Sequence, residues 1–149
     1  MTSDATDDDF AAAWEDFFRA VRRAKGRASA QPPVDGLSLA QHQLLTPLAG
    51  RPAQTIRALA DAAGVAAPTA TRMLDGLERA GYVTRATDAN DRRCVVVDLT
   101  PDGREALDVT SRALNANRRR ISASLSDGDR EHAARLLRQL AQIVEEQLP

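Results

Sequence analysis

The chain has 149 residues, enough for one domain or for one domain with an added assembly element, and 43% of them are hydrophobic. Only 3% are aromatic, so the core has to be built from Ala, Leu and Val, and a 28% share of charged residues fits a soluble globular protein. A formal net charge of −1 excludes a uniformly basic surface. The single cysteine, Cys94, excludes an intrachain disulfide or a Cys-based metal cluster, and no apolar run approaches membrane-spanning length. Nineteen of the 20 basic residues are Arg and the other is Lys25, so any basic surface is made by the placement of planar guanidinium forks.

Residues 1–9 are acidic and polar and read as a disordered lead-in; they are unlike the basic start of a secretory signal, which gives the expectation of a cytoplasmic location. Phe10, Trp14, Phe17, Phe18, Val21 and Ala24 recur at helical spacing and predict an amphipathic helix over roughly 9–29. Gln31-Pro32-Pro33-Val34-Asp35-Gly36 breaks it. Ser38-Leu39-Ala40-Gln41 is a capping box that opens a helix carrying Leu44, Leu45 and Leu48 and ending near Gly50. Arg51 to Gln54 reads as a loop. Thr55 caps a short helix with Ile56, Leu59 and Ala60 inward, and Gly64 ends it as a left-handed residue.

Pro68 suits the first turn of the next helix, which is predicted from about Pro68 to Ala80 with Ala70, Met73, Leu74 and Leu77 inward and Gly81 as its stop. A short helix, a tight Gly-containing turn and a second helix make a helix–turn–helix. The period then changes: Tyr82 to Arg85 reads as a strand, Asp88-Ala89-Asn90-Asp91 as a turn, and Cys94 to Leu99 as a returning strand. A hairpin placed there is a wing. Thr100-Pro101 restarts helix, with Ala106, Leu107, Thr110, Leu114, Asn117 and Ile121 on one face. Ser126 caps a last helix with a stripe of Ala133, Leu136, Leu137, Leu140, Ile143, Val144 and Leu148.

The fold expected is therefore mainly α with a small β-wing. Residues 38–99 form a winged helix–turn–helix lobe, and 10–37 together with 100–149 form a helical dimerisation region. One compact domain offers little surface for three long one-sided helices, so two chains whose terminal helices interlock are the economical solution. Packing of these helices on their own domain is the alternative.

Three stretches carry a family resemblance. They are Leu77-Glu78-Arg79-Ala80-Gly81-Tyr82-Val83-Thr84-Arg85, the wing Asp88-Ala89-Asn90-Asp91-Arg92-Arg93, and Val97-Asp98-Leu99-Thr100-Pro101-Asp102-Gly103. With Ala67 to Arg72 as the recognition helix, they resemble the multiple-antibiotic-resistance regulator (MarR) family. The resemblance implies a homodimeric transcriptional regulator, in most cases a repressor, on a pseudo-palindromic double-stranded DNA operator. It also implies release by a small phenolic or aromatic effector or by an oxidant, and it implies no cofactor.

A recognition helix points its first turns at the major groove, which makes Pro68, Thr69, Thr71 and Arg72 the DNA-contact candidates. Arg72 can fork onto guanine O6 and N7. Asp75 is expected on the same outward face. The resemblance maps the minor-groove arginine onto Arg93, with Arg92 beside it; Asp88 and Asp91 are expected to orient the wing, by holding a guanidinium or by capping the turn. Ala67 stands where a Ser or Asn cap is expected, leaving first-turn amides for a DNA phosphate. Trp14 and His42 are the candidate effector-binding residues. Arg118-Arg119-Arg120 reads as a solvated face.

His42 and His132 fall on different helices with no clustered Cys, which argues against a metal site. No Gly-rich phosphate loop, G-x-S-x-G or Cys–His arrangement points to an enzyme. Two other readings compete. One is a helical adaptor with a degenerate wing, consistent with the near-neutral charge. The other is a thiol switch at Cys94, which lies beside Arg93 and would then be somewhat acidic.

Overall fold

The computed structural model describes residues 2–31 and 33–147, and for residues 2–5 and 29 the backbone alone. Met1 of the acidic lead-in, Pro32 of the expected break and Leu148 of the last stripe lie outside the described residues. The chain divides into two compact units, Met1–Ser111 and Arg112–Pro149. The elements are α1 (Thr2–Ala30), α2 (Leu39–Leu45), α3 (Pro47–Gly50), β1 (Gln54–Thr55), α4 (Ile56–Ala63), α5 (Ala67–Arg79), β2 (Val83–Thr87), β3 (Val95–Leu99), α6 (Pro101–Ala123) and α7 (Asp127–Gln147).

Three elements differ from the sequence expectation. Helix α1 covers the described residues from Thr2, so residues 2–9 are helical where a disordered lead-in was expected. The single helix expected from Ser38 to Gly50 is broken into α2 and α3 at Thr46-Pro47, because proline has no N–H to continue the ladder. Gln54-Thr55, expected as loop and cap, forms a third strand: β1 pairs antiparallel with β3, Gln54 opposite Val97 and Thr55 opposite Val96. Two residues carry no readable alternation, so pattern alone could not find this strand.

The other local signals act as expected. The Ser38 hydroxyl accepts from Gln41 N–H (3.2 Å), and the Gln41 side chain accepts from Ser38 N–H (2.9 Å). Thr55 Oγ1 accepts from Ala58 N–H (3.1 Å), and Gly64 closes α4 at φ 64°. Ser126 Oγ accepts from Asp129 N–H (3.1 Å) at the start of α7.

The core of the first unit is aliphatic, as the composition requires. Leu37, Leu44, Leu45, Leu48, Leu59, Leu74, Leu77, Val83 and Val97 are all fully buried, with Ala60, Ala70, Ala106 and Leu107 between them. The sheet order is β1-β3-β2, and Val97 on the middle strand points into this core. Thr110 is the one buried polar residue among those described. Its hydroxyl accepts from Leu37 N–H (2.8 Å) and donates to the Ala106 carbonyl (3.0 Å), which ties the entry of α2 to α6. In the second unit no residue of α7 is buried; Leu136 and Leu137 are 42% and 55% exposed.

The start of α6 meets the base of the wing backbone to backbone. Thr100 N–H donates to the Tyr82 carbonyl (3.0 Å), and its hydroxyl donates to the Gly81 carbonyl (2.6 Å) while accepting from Gly103 N–H (3.0 Å). A Cβ on Gly103 would fall inside the Tyr82 carbonyl, a backbone group that cannot turn aside. Gly103→Ala is therefore expected to cost about 3 kcal/mol, the scale of a core overpacking with no route to relax. Urea unfolding measures it, and an unchanged midpoint would show that α6 does not need this approach.

Candidate nucleic-acid interface

Helix α4, the turn through Gly64 and helix α5 present one face of α5 to the core and the opposite face to solvent. Ala70, Leu74 and Leu77 are buried, and Pro68, Thr69, Thr71 and Arg72 are exposed. The helix starts one residue earlier than the sequence suggested. Ala66, not Ala67, holds the cap position, since its carbonyl accepts from Ala70 N–H (3.0 Å). No side chain caps this terminus and its first turn carries no acid, so its leading amides face outward without a protein acceptor from a cap.

The wing turn is built by its two aspartates. Asp88 Oδ1 accepts from Asn90 N–H (2.8 Å) and Asp91 Oδ1 from Arg93 N–H (2.9 Å). Of the two roles expected for these carboxylates, the geometry gives turn capping; among the described residues neither bonds a guanidinium. The loop is closed by Asp88 N–H on the Cys94 carbonyl (2.9 Å) and Cys94 N–H on the Asp91 carbonyl (3.0 Å). Arg92 and Arg93 project exposed from its tip. Among the described residues, no hydrogen bond or ion pair engages the guanidinium groups of Arg72, Arg92 or Arg93.

Asp91 also bears on the competing thiol-switch reading of Cys94. The thiol hydrogen-bonds Asp91 Oδ2 (3.5 Å). That bond, with the carboxylate's charge, pushes the thiol above its ordinary value, with a smaller push from Asp88. The shift is opposite to the acidic thiol that the thiol-switch reading calls for.

Asp75 is not a free outward residue. Arg85 reaches from β2 to α5, where its Nη1 donates to Asp75 Oδ1 (2.7 Å) and Glu78 Oε2 (3.0 Å) and its Nη2 to the Thr71 carbonyl (3.3 Å). The sequence reading missed this residue's role, although a signal was there. Val83 faces the core, so strand alternation turns Arg85 to the same side, where a charged residue needs partners.

The effector candidates are not brought together by the structure. The indole of Trp14 stands between the rings of Phe10 (centroids 5.9 Å apart) and Phe18 (4.7 Å) on α1. His42 Nε2 is 2.9 Å from Ser111 Oγ on α6. A cavity of about 380 Å³ is lined by Val34, Asp35, Tyr82, Asp102, Glu105, Ala106 and Val109, and by neither of the two. His132 pairs with Arg135 on α7, and Arg120 with Asn117. Among the described residues no group of three or more His, Cys, Asp or Glu side chains is placed to hold a metal ion, and no helix is long and apolar enough to cross a membrane.

A helix–turn–helix followed by a β-hairpin wing, whose sheet β1 completes from before the helix pair, defines a winged helix–turn–helix protein. The MarR family model matches residues 37–95. The chain is 35% identical over 98 residues to an uncharacterized HTH-type transcriptional regulator of Mycobacterium bovis, an alignment covering 66% of this chain and 68% of that protein. It belongs to the MarR family. It is also 30% identical over 107 residues to a transcriptional regulatory protein for the hcr operon of Thauera aromatica, covering 72% of this chain and 64% of that relative's length. Among solved structures, a MarR family transcription regulator superimposes with a TM-score of 0.82 at 19% identity, over 93% of this chain and 92% of that one. The transcriptional repressor CouR bound to a 23-mer DNA duplex does so with a TM-score of 0.68 at 26% identity, over 82% and 89%.

Burial lowers the His42 pKa below its ordinary 6.5. Above that value the imidazole is neutral in both folded and unfolded chains and contributes nothing to pH dependence. Below it the unfolded chain takes up a proton that the folded one resists, so stability falls as pH drops from 6.5 towards the lowered value. His42→Gln keeps a polar partner for Ser111 and removes this slope. The difference in melting temperature between wild type and variant should therefore shift in the variant's favour between about pH 7.5 and about pH 5.5. A constant difference would place His42 in solvent.

Proposed function

We propose that the chain is a transcriptional regulator, acting as a repressor, that binds a pseudo-palindromic duplex as a homodimer, with α5 in the major groove and the wing in the adjacent minor groove. The observation that carries this reading is local. In a chain of net charge −1, three arginines without partners among the described residues, Arg72, Arg92 and Arg93, are exposed on the recognition helix and wing tip of one winged helix–turn–helix. A helical adaptor has no use for that arrangement. The DNA-bound state of CouR, at 26% identity, supports the partner class. In this reading 38–99 is the DNA-binding lobe, and the uncapped start of α5 at Ala66 seats a backbone phosphate.

Salt-dependent binding to a duplex selected from a random pool tests it. Arg72→Ala should cost about 1–3 kcal/mol and relax preference at one base position. Arg93→Ala should flatten the slope of log affinity against log salt by about one. Ala66→Asp, which puts a carboxylate at the phosphate seat, should weaken binding to all sequences alike. Binding that shows no sequence preference and ignores all three changes would favour the adaptor.

The dimer is supported by apolar surface that each unit leaves uncovered. Phe10 and Phe17 on α1 are 56% and 54% exposed, and α7 exposes its leucine stripe. Stripes of this kind mark contact surfaces. Sedimentation of the free protein should give twice the monomer mass; a monomer at micromolar concentration would remove the paired half-site from the proposal. Release by a small phenolic or aromatic effector belongs to the same reading and is supported by family membership, and a screen for compounds that free the selected duplex tests it.

A further inference from the structure

We infer that Arg85 is a positioning residue that locks the wing to the recognition helix, so that both grooves are read by one rigid unit. The inference rests on the DNA-binding reading above. Its partners Thr71, Asp75 and Glu78 stand four and then three residues apart, a single stripe along α5 between the buried face and the exposed one. The guanidinium comes from β2, whose hairpin carries Arg92 and Arg93 at its far end. One side chain therefore joins the element that bears Thr69 and Arg72 to the one that bears the wing arginines.

The geometry is that of a clamp rather than of a loose surface pair. The Arg85 side chain is 21% exposed against 47% for Asp75 and 42% for Glu78, so the cation sits beneath its two anions. Its Nε is buried and has no hydrogen-bond partner among the described residues. Both terminal nitrogens are committed to α5. Lysine could hold the charge but not the fork: a single ammonium on a flexible stem does not fix the direction of three acceptors.

Asp75 and Glu78 make the inference testable by the sign of an effect. On a surface that binds a polyanion, removing two carboxylates ordinarily tightens binding. If their work is to hold Arg85, removing them loosens it. The experiment compares wild type, Arg85→Lys and Asp75→Asn/Glu78→Gln on the duplex that the wild type selects from a random pool. It follows amide hydrogen exchange in the DNA-free proteins alongside. Both variants should bind at least about five-fold more weakly, although the double variant carries less negative charge. In both, exchange should quicken in Thr71–Arg79 and Val83–Thr87 and stay unchanged in α2 and α4. Equal or tighter binding by the double variant overturns the inference, as does unchanged exchange. Faster exchange throughout, α2 and α4 included, would make Arg85 a general stabiliser and overturns it too. A wild type that selects no duplex sinks the DNA-binding reading instead; exchange then decides by itself whether the clamp exists.

Discussion

The lobe depends on the contact between Gly103 and the backbone of Tyr82. Four segments end there: α5 turns off at Gly81 with φ 80°, β2 starts, β3 finishes and α6 begins. Each would leave polar backbone groups in a half-buried place, and Thr100 collects them. Its N–H and hydroxyl donate to the carbonyls of Tyr82 and Gly81, and its oxygen caps Gly103. The arrangement is compact enough only because residue 103 has no side chain. The L-T-x-x-G pattern that closes the wing is thus a packing requirement. It sets the base of the hairpin against the end of α5, while Arg85 sets its flank.

Charge in this molecule is a matter of address. The chain as a whole is nearly neutral, and the first turn of α5 bears no acid. The aspartates of the wing turn their oxygens onto backbone N–H groups, and among the described residues none of their bonds goes to the guanidinium of Arg92 or Arg93. Asp75 and Glu78 are drawn onto Arg85. These four acids are thus each engaged within the lobe, while among the described residues the guanidinium groups of Arg72, Arg92 and Arg93 have no partner. Asp91 shows this most directly, since the same carboxylate shapes the turn through Oδ1 and accepts from the neighbouring thiol through Oδ2.

Much of this was legible in the sequence, because the informative residues act locally. Ser38-Gln41, Thr55, Gly64 and Thr100-Pro101 bracket their helices by hydrogen bonds to neighbours only a few positions away. The spacing of Ala70, Leu74 and Leu77 fixed the outward face of α5 and so exposed Arg72. What escaped depends on partners distant in sequence or on chemistry with no pattern. β1 exists because β3 offers it an edge, not because Gln54-Thr55 favours strand. The Arg85 clamp joins residues up to 14 positions apart and is visible only as a charge in an inward register. The shift of the cap from Ala67 to Ala66 and the pairing of Cys94 with an acid turn on single-residue geometry, which propensity does not resolve.

The order of the sheet has a consequence for solubility. β3, with the run Val95-Val96-Val97, is the strand most apt to recruit a foreign strand, and it lies in the middle. On one side the two polar residues of β1 pair with Val96 and Val97, and on the other β2 covers its full length. The two edges are β1, only two polar residues long, and β2, where Arg85 bends inward to α5 and Thr84 and Thr87 face solvent. A short polar strand and a strand with an inward charge are the devices by which natural sheets discourage edge-to-edge growth. The two-residue strand that the sequence hides is therefore a guard against aggregation, bought with hardly any chain.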